Sequence, residues 1–249
     1  MSLDFFGPFL KVERAGQHIK QLEGLLNRYV SENRKIFSPK YQERAFKQGR
    51  DLRFAEHGRH MPTVLGDAIH NLRASLDHAY CILIQANGHT LTDYSKFPFG
   101  GNDWVDIKGS IDGNIRAGNG PSETVRDFIG TEIQPFPRGK HNLWDLHRLD
   151  ITDKHERILP MGSYAFIANA EITYPDTPGG GLFLKNTTFT NFSRIAGAGA
   201  KVILRDHVKN AFDVTFGIGQ PLEGMPILDT LQHLQDSVTH CLKGLREFL

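Results

Sequence analysis

Ionisable side chains gather on one side of a helical segment in the first third of the chain. Between residues 64 and 86, His70, Arg73 and Asp77 fall within roughly 60° of one another when each residue turns the helix by about 100°. The opposite side is apolar and holds six residues within roughly 80°: Leu65, Ile69, Leu72, Leu76, Ala79 and Leu83. An imidazole, a guanidinium and a carboxylate on about two turns of one helix are suited to proton transfer and to phosphate binding.

A second polar set lies between residues 141 and 159. If this segment is one continuous helix, His147, Asp150 and Lys154 fall within about 60° of each other, on an arc that also carries leucine and isoleucine. Polar groups on such an arc need partners, because an unpaired buried polar group costs a few kcal/mol. Asp150 and Lys154 can pair with each other at the i,i+4 spacing, and the polar side of the first helix is the natural partner for the rest.

We therefore predict one constellation that contains both polar sets. Its groups are candidates for a catalytic or ligand-binding site. The same arrangement can also be a structural hydrogen-bond network that holds two helices together, and both interpretations stay open at the level of sequence.

The elements that must position these groups are helices in the first part of the chain and at its end. Periodic apolar residues predict helices over about 9–32, 64–86, 141–159 and the last 24 residues. The stretch from Gly88 to Gly139 is rich in Gly, Asn, Asp and Pro, which predicts a long loop with one short helix at Ser122–Ile129 that Ser122 caps.

Strand patterns occur late in the chain. They predict strands over Ser163–Tyr174, Leu182–Ser193, Lys201–Asp206 and Ala211–Ile218, with two shorter candidates at Lys35–Ser38 and Leu52–Ala55. The order of elements favours an α+β fold, in which a helical core packs on a small antiparallel sheet and a C-terminal helix closes the structure. A chain of 249 residues can bury such a core as a single domain over 1–249.

Charge and composition narrow the classes of partner. The formal net charge is +1 and no basic run is present, which argues against a dedicated duplex-DNA binder but permits RNA or a nucleotide as a substrate. No run of about 18 apolar residues predicts a membrane span. The two cysteines form no disulfide framework, so we expect a cytoplasmic protein. The apolar stripe that ends at Leu249 can close the core or pair with a second copy, which leaves a homodimer open.

Motifs for other chemistries are absent from the sequence. The chain has twelve histidines, among them His57, His60 and His141, but it has no HExxH motif and no zinc-type Cys pair, so no metal and no cofactor is predicted. A metal-dependent hydrolase nevertheless stays as a second alternative. No Gly-x-Ser-x-Gly motif offers a serine nucleophile.

Two segments resemble the signature of a broad family of uncharacterised bacterial proteins. The first reads GDAIHNLR over residues 66–73 and continues to LDH at 76–78, and the second reads LHRL over 146–149 followed by DKHERIL over 153–159. The resemblance covers both central helices in their order, the late strands and the closing helix. It implies a shared fold but no activity, because that family has none established.

The pair Arg73 and His78 is also similar to the motif of HEPN-type ribonucleases, in which an Arg is followed after four to six residues by a His within a helical bundle. That resemblance implies RNA cleavage without a metal, with Arg73 at the scissile phosphate and His78 transferring a proton. Ala74 stands where that motif usually has a polar residue. In a regular helix the two side chains are about 140° apart, so they would need a kink or a second subunit to act together.

The function we expect is therefore metal-independent phosphodiester cleavage of RNA or a nucleotide. The expected phosphate ligands are Arg73 and Lys154, the proton-transfer residues are His70, His78 and His147, and the orienting carboxylates are Asp77 and Asp150. A non-catalytic interaction or ligand-binding module, in which the polar residues are structural, is the main alternative.

Overall fold

The computed structural model describes residues 3–32, 60–156, 161–173, 181–189, 201–204, 212–217 and 219–249. The chain divides into two compact units. One contains residues 1–22, 62–159 and 228–249, and the other contains residues 23–61 and 160–227. All seven candidate site residues belong to the first unit. The single-domain organisation expected from the sequence stays a prediction.

Helices build the first unit. They are α1 (Phe6–Glu32), α2 (Met61–Ala86), α3 (Trp104–Arg116), α4 (Glu123–Phe128), α5 (Leu143–Ile151) and α6 (Ile227–Arg246). The end of α1 and the first residues of α2 and α6 belong to the second unit. A π-helical turn, Ile129–Ile133, follows α4, and a 3-10 turn, Lys140–Asn142, precedes α5. A second π-helical turn, Thr152–Glu156, follows α5.

The core of this unit forms where the apolar stripes of the helices meet. On α2, the six residues of the predicted stripe are at most 2% exposed, and five residues of α6 are fully buried: Leu231, Leu234, Val238, Leu242 and Leu245. Helix α1 lies against both. Lys11 donates a hydrogen bond to Asn71 of α2, and Gln235 of α6 packs on the bare Cα of Gly16. The helices therefore bury their apolar faces against one another.

The predicted α+β fold class is wrong. Of the part of the chain that the structure describes in full, about 70% is helical and about 3% is strand, and that part contains no sheet. The protein is helical rather than α+β in the sense predicted. The physical reason is that the apolar stripes of α1, α2 and α6 are satisfied by other helices, so no sheet is needed to cover them.

Backbone pairing links four strands in the second unit. They are β1 (Met161–Thr173), β2 (Gly181–Phe189), β3 (Lys201–Leu204) and β4 (Phe212–Phe216), and each of the last three pairs with β1 in the antiparallel sense. These strands overlap the four late segments with strand patterns. Among them, only β4 has side chains that the structure describes. The candidate strands at Lys35–Ser38 and Leu52–Ala55 lie outside the described residues.

The structure also differs from the sequence prediction between residues 88 and 156. Helix α3 replaces part of the predicted loop, and the Asp103 carboxylate caps it by accepting hydrogen bonds from the backbone N–H groups of Val105 and Asp106. The short helix capped by Ser122 is confirmed, since its hydroxyl accepts from the N–H of Val125. The predicted continuous helix over 141–159 is instead interrupted after residue 151 by the π-helical turn.

Candidate functional site

Helices α2 and α5 run antiparallel and meet along their polar sides. His70 of α2 contacts Asp150, and Arg73, one turn later, contacts His147. One turn earlier, Gly66 lies against the carboxylate of Asp153, so closely that a methyl group on Gly66 would overlap it. Three contacts, each about one helical turn apart, thus align the two segments.

A histidine, a carboxylate and a lysine form the more exposed part of this interface. The His70 Nδ1 atom lies 3.2 Å from Asp150 Oδ1, and Lys154 Nζ donates to Asp150 Oδ2 at 2.7 Å. The Asp150 side chain is only 7% exposed, whereas His70 is 46% and Lys154 38% exposed. Each oxygen of the buried carboxylate therefore has a partner, which offsets the cost of removing the charge from water.

An arginine and a second histidine form the buried part. Arg73 is 6% exposed, and its Nε donates to His147 Nδ1 at 3.3 Å. Its Nη1 lies 2.5 Å from Asp77 Oδ1 as an ion pair, at an angle outside that of a hydrogen bond, and it donates no hydrogen bond within the described part of the chain. The same Asp77 oxygen accepts from the backbone N–H of Phe97 at 2.8 Å, which ties the loop after α2 to the helix.

Phe99 from that loop covers the buried part. Its ring stacks on the His147 imidazole, with centroids 4.6 Å apart and planes 8° from parallel. The Arg73 guanidinium carbon lies 4.2 Å from the centroid of the same ring, within the range of a cation–π interaction. The Trp144 ring, on the same helix α5 as His147, has its centroid 5.5 Å from that of the imidazole. Aromatic surface thus shields Arg73 and His147 from water.

This environment keeps His147 neutral. Its pKa is lowered to about 4, first because burial penalises the charged form and second because the Arg73 cation repels a proton. The carboxylates of Asp150 and Asp77 oppose the shift without cancelling it. Because Nδ1 accepts a hydrogen bond from Arg73, the ring proton is on Nε2. His147 is therefore a hydrogen-bond acceptor at neutral pH and not a proton donor with a pKa near 7.

Six of the seven candidate residues lie along this interface in two connected groups, which together we call the α2–α5 cluster. One group is His70, Asp150 and Lys154, and the other is Arg73, Asp77 and His147. The predicted contact between the two polar sets is confirmed, while their chemical roles stay predictions. His78 does not join the cluster. It is exposed on α2, and the structure gives it no hydrogen bond or ion pair with a described residue. The spacing that resembles the HEPN motif therefore does not bring Arg73 and His78 together within this chain.

Comparison of the chain with protein-family models, curated proteins and solved structures finds no match.

Two findings concern metals and membranes. Among the residues that the structure describes, no three His, Cys, Asp or Glu side chains are grouped closely enough to hold a metal ion. None of the described helices is both long enough and apolar enough to span a bilayer.

Sequence reasoning missed three participants in this site. Phe97 and Phe99 come from a loop that was not assigned to the site, although the Phe-Pro-Phe sequence is an apolar signal within a polar stretch. Asp153 was not among the candidate site residues but lies against Gly66. The Gly-Asp start of the first motif carried that signal, because a glycine within a helix commonly marks a close approach of another element.

Proposed function

We propose that the protein cleaves phosphodiester bonds in RNA or a nucleotide without a metal, with His70 as the acid–base residue. The observation that supports this proposal is the group formed by His70, Asp150 and Lys154. A half-exposed imidazole is held by a buried carboxylate at 3.2 Å, and an ammonium group lies beside the same carboxylate at 2.7 Å.

The proposed mechanism follows from which imidazole atom is engaged. Asp150 accepts the Nδ1 proton of His70, and this fixes the ring and leaves Nε2 for proton transfer. In the proposed reaction, Nε2 takes a proton from the attacking hydroxyl as the new P–O bond forms. It then returns the proton to the leaving oxygen as the old P–O bond breaks, so that His70 ends neutral.

Lys154 has the role of stabilising the phosphate in this proposal. Its ammonium group is partly exposed, so it can approach a phosphate oxygen from the protein surface while it still contacts Asp150. Positive charge at this position would stabilise the negative charge that develops on the transferred phosphoryl group.

Arg73 and His147 receive positioning roles instead of the direct roles expected from the sequence. Phe99 covers both, and Arg73 is 6% exposed, so a polynucleotide phosphate would reach its guanidinium only if Phe99 moved. Their contact holds α2 and α5 in the alignment that places Asp150 beside His70. The cytoplasmic location and the homodimer considered from the sequence stay predictions.

The experiment compares two histidines on the same helix. Cleavage of a fluorescent RNA and of bis(p-nitrophenyl) phosphate is measured in EDTA for the wild type, His70→Gln and His78→Gln. We expect His70→Gln to lose about 100-fold or more of the rate, the range typical of removing a general acid or base, while His78→Gln keeps wild-type activity. A loss confined to His78→Gln would instead support the HEPN-type pairing in an assembly of two subunits. Equal rates in all three proteins would refute both assignments.

A non-catalytic interaction module is the second candidate, and the burial of the cluster favours it. As whole residues Asp150 and Arg73 are 5% and 6% exposed. The Asp150 carboxylate is engaged by His70 and Lys154, and the Arg73 guanidinium by His147 and Asp77. Such a network can specify how two helices align without any chemistry. If Asp150→Asn lowers the free energy of unfolding by several kcal/mol and no substrate is turned over by the wild type, this candidate is preferred.

A further inference from the structure

Two histidines from distant parts of the chain face each other outside the α2–α5 cluster. His141 lies in the 3-10 turn before α5, and His240 lies on the exposed side of α6. Their ring centroids are 5.5 Å apart with planes tilted by 41°. The backbone of Glu132 hydrogen-bonds the His141 ring. One ring nitrogen of His141 is therefore anchored, which limits the directions that the other nitrogen can take.

We propose that His141 and His240 bind one divalent transition-metal ion, with Zn²⁺ as the reference ion. Two imidazoles on one tetrahedral zinc, each with a Zn–N bond of about 2.0–2.1 Å, have ring centroids about 5 Å apart. The observed separation of 5.5 Å is within a few tenths of an ångström of that arrangement, so small side-chain rotations bring both nitrogens to a common ion. Imidazole nitrogen is a preferred ligand of zinc, nickel and copper.

The surroundings of His141 resemble those of metal-bound histidines in one respect. A ligating histidine usually donates its second ring N–H to a carbonyl or carboxylate, which fixes the ring and increases the basicity of the ligating nitrogen. The backbone of Glu132 supplies that partner here.

Further ligands are available on the same side of α6. His233 and Asp236 precede His240 by seven and four residues, which places all three within about 60° on the helix surface. Both are exposed. Within the described part of the chain, the Asp236 carboxylate accepts a hydrogen bond from Gln232 of its own helix at 3.3 Å. They do not form a ready three-residue group with the pair, so water or a rotamer change completes the coordination.

The charges around the pair are compatible with a cation. Lys140 is the nearby cation, but its ammonium group is engaged by the Thr131 carbonyl at 3.0 Å and the Glu132 carboxylate at 3.4 Å. Its charge is thus partly neutralised.

The test uses the full chain without any affinity tag, in a buffer free of chelators and imidazole. Zn²⁺ binding is measured by calorimetry, and Co²⁺ serves as a spectroscopic probe of the coordination geometry. We expect one ion per chain, and His240→Gln should weaken binding by at least about tenfold. His240 is exposed, so this change is compatible with folding. His141→Asn is a second variant, because Asn tolerates the left-handed backbone at position 141, where φ is 69°.

His78→Gln is the matched control, since it removes an exposed histidine of α2 and should leave binding unchanged. Loss of binding in both His141→Asn and His240→Gln, with the control unaffected, supports the site. Absence of Zn²⁺ binding up to about 1 mM, the weak end of the affinity range of extracellular cation modules, would overturn the proposal. Binding of unchanged affinity in His240→Gln would overturn it as well. Neither result bears on the proposed cleavage reaction, which uses different residues.

Discussion

Acidification is expected to destabilise the protein through His147. The folded state holds the pKa of this histidine at about 4, whereas the ordinary value is 6.5. Between these two values the unfolded chain binds a proton that the folded protein rejects. The free energy of unfolding therefore keeps its full value above pH 6.5 with respect to His147, and it falls as the pH drops from about 6.5 to about 4.

The magnitude follows from the difference between the two pKa values. If the shift were fully effective, it would correspond to about 3 kcal/mol, at about 1.4 kcal/mol for each tenfold change in proton affinity. His147 is only partly buried, so solvent screening reduces the expected effect to about 1–2 kcal/mol. Protonation would also place a second positive charge beside Arg73 and remove the acceptor of its Nε proton.

Urea unfolding at pH 7.0 and pH 4.5 measures this contribution. In His147→Asn the side-chain oxygen can still accept from Arg73, but the residue no longer titrates. We expect the loss of unfolding free energy between the two pH values to be smaller in this variant by about 1–2 kcal/mol. The same change at exposed His78 controls for the removal of a histidine as such. Parallel pH curves for the wild type and His147→Asn, or a His147 NMR titration centred near 6.5, would refute the reasoning.

Three further changes probe the packing around the site. Gly66→Ala should lower stability by about 1–3 kcal/mol, because the new methyl group overlaps Asp153, whereas Gly109→Ala, which meets open space on α3, should raise stability by about 0.5–1 kcal/mol. Thermal melts measure both variants and the combination of Gly66→Ala with Asp153→Ala. An equal cost of Gly66→Ala with and without the Asp153 side chain would contradict the explanation. Phe99→Leu should cost about 1–2 kcal/mol in chemical unfolding by removing its stacking and cation–π contacts, and an unchanged midpoint would show that these contacts contribute nothing. Ser122→Ala should cost about 0.5–2 kcal/mol through loss of the N-cap, with Ser122→Thr restoring most of it, and equal melting temperatures for all three proteins would argue against the cap.

The contact between α2 and α5 could be predicted because α2 sorts its residues by angle, whereas α5 carries polar groups on an arc that is partly apolar. On α2, the residues opposite the apolar stripe can face either water or another polar surface. The polar groups of α5 lie beside buried leucines, which leaves them in need of partners. Burying these polar groups without partners would cost free energy, so the two polar sets pair with each other. The hydrogen bonds between His70 and Asp150 and between Arg73 and His147 are the result.

The parts that sequence reasoning missed depend on long-range packing or on weak local signals. Helix α3 contains Gly109 and Gly113, which lower its helix propensity, and its two buried isoleucines supply the packing that compensates. Phe99 reaches the site only because the loop after α2 is tied to Asp77, which no local pattern encodes. The fold class was wrong because the helices of the first unit bury their apolar stripes against one another, which local strand patterns do not reveal.

The three contacts between α2 and the α5 segment have a consequence for how the chain finds its native alignment. The contacts differ in kind: a bare backbone facing an acid at Gly66, an imidazole facing an acid at His70, and a cation facing an imidazole at Arg73. If one helix slid by a single turn, His70 would oppose His147 and Arg73 would oppose the indole of Trp144. That slide would replace both side-chain hydrogen bonds, from His70 to Asp150 and from Arg73 to His147, with unmatched pairs, so these two contacts disfavour it.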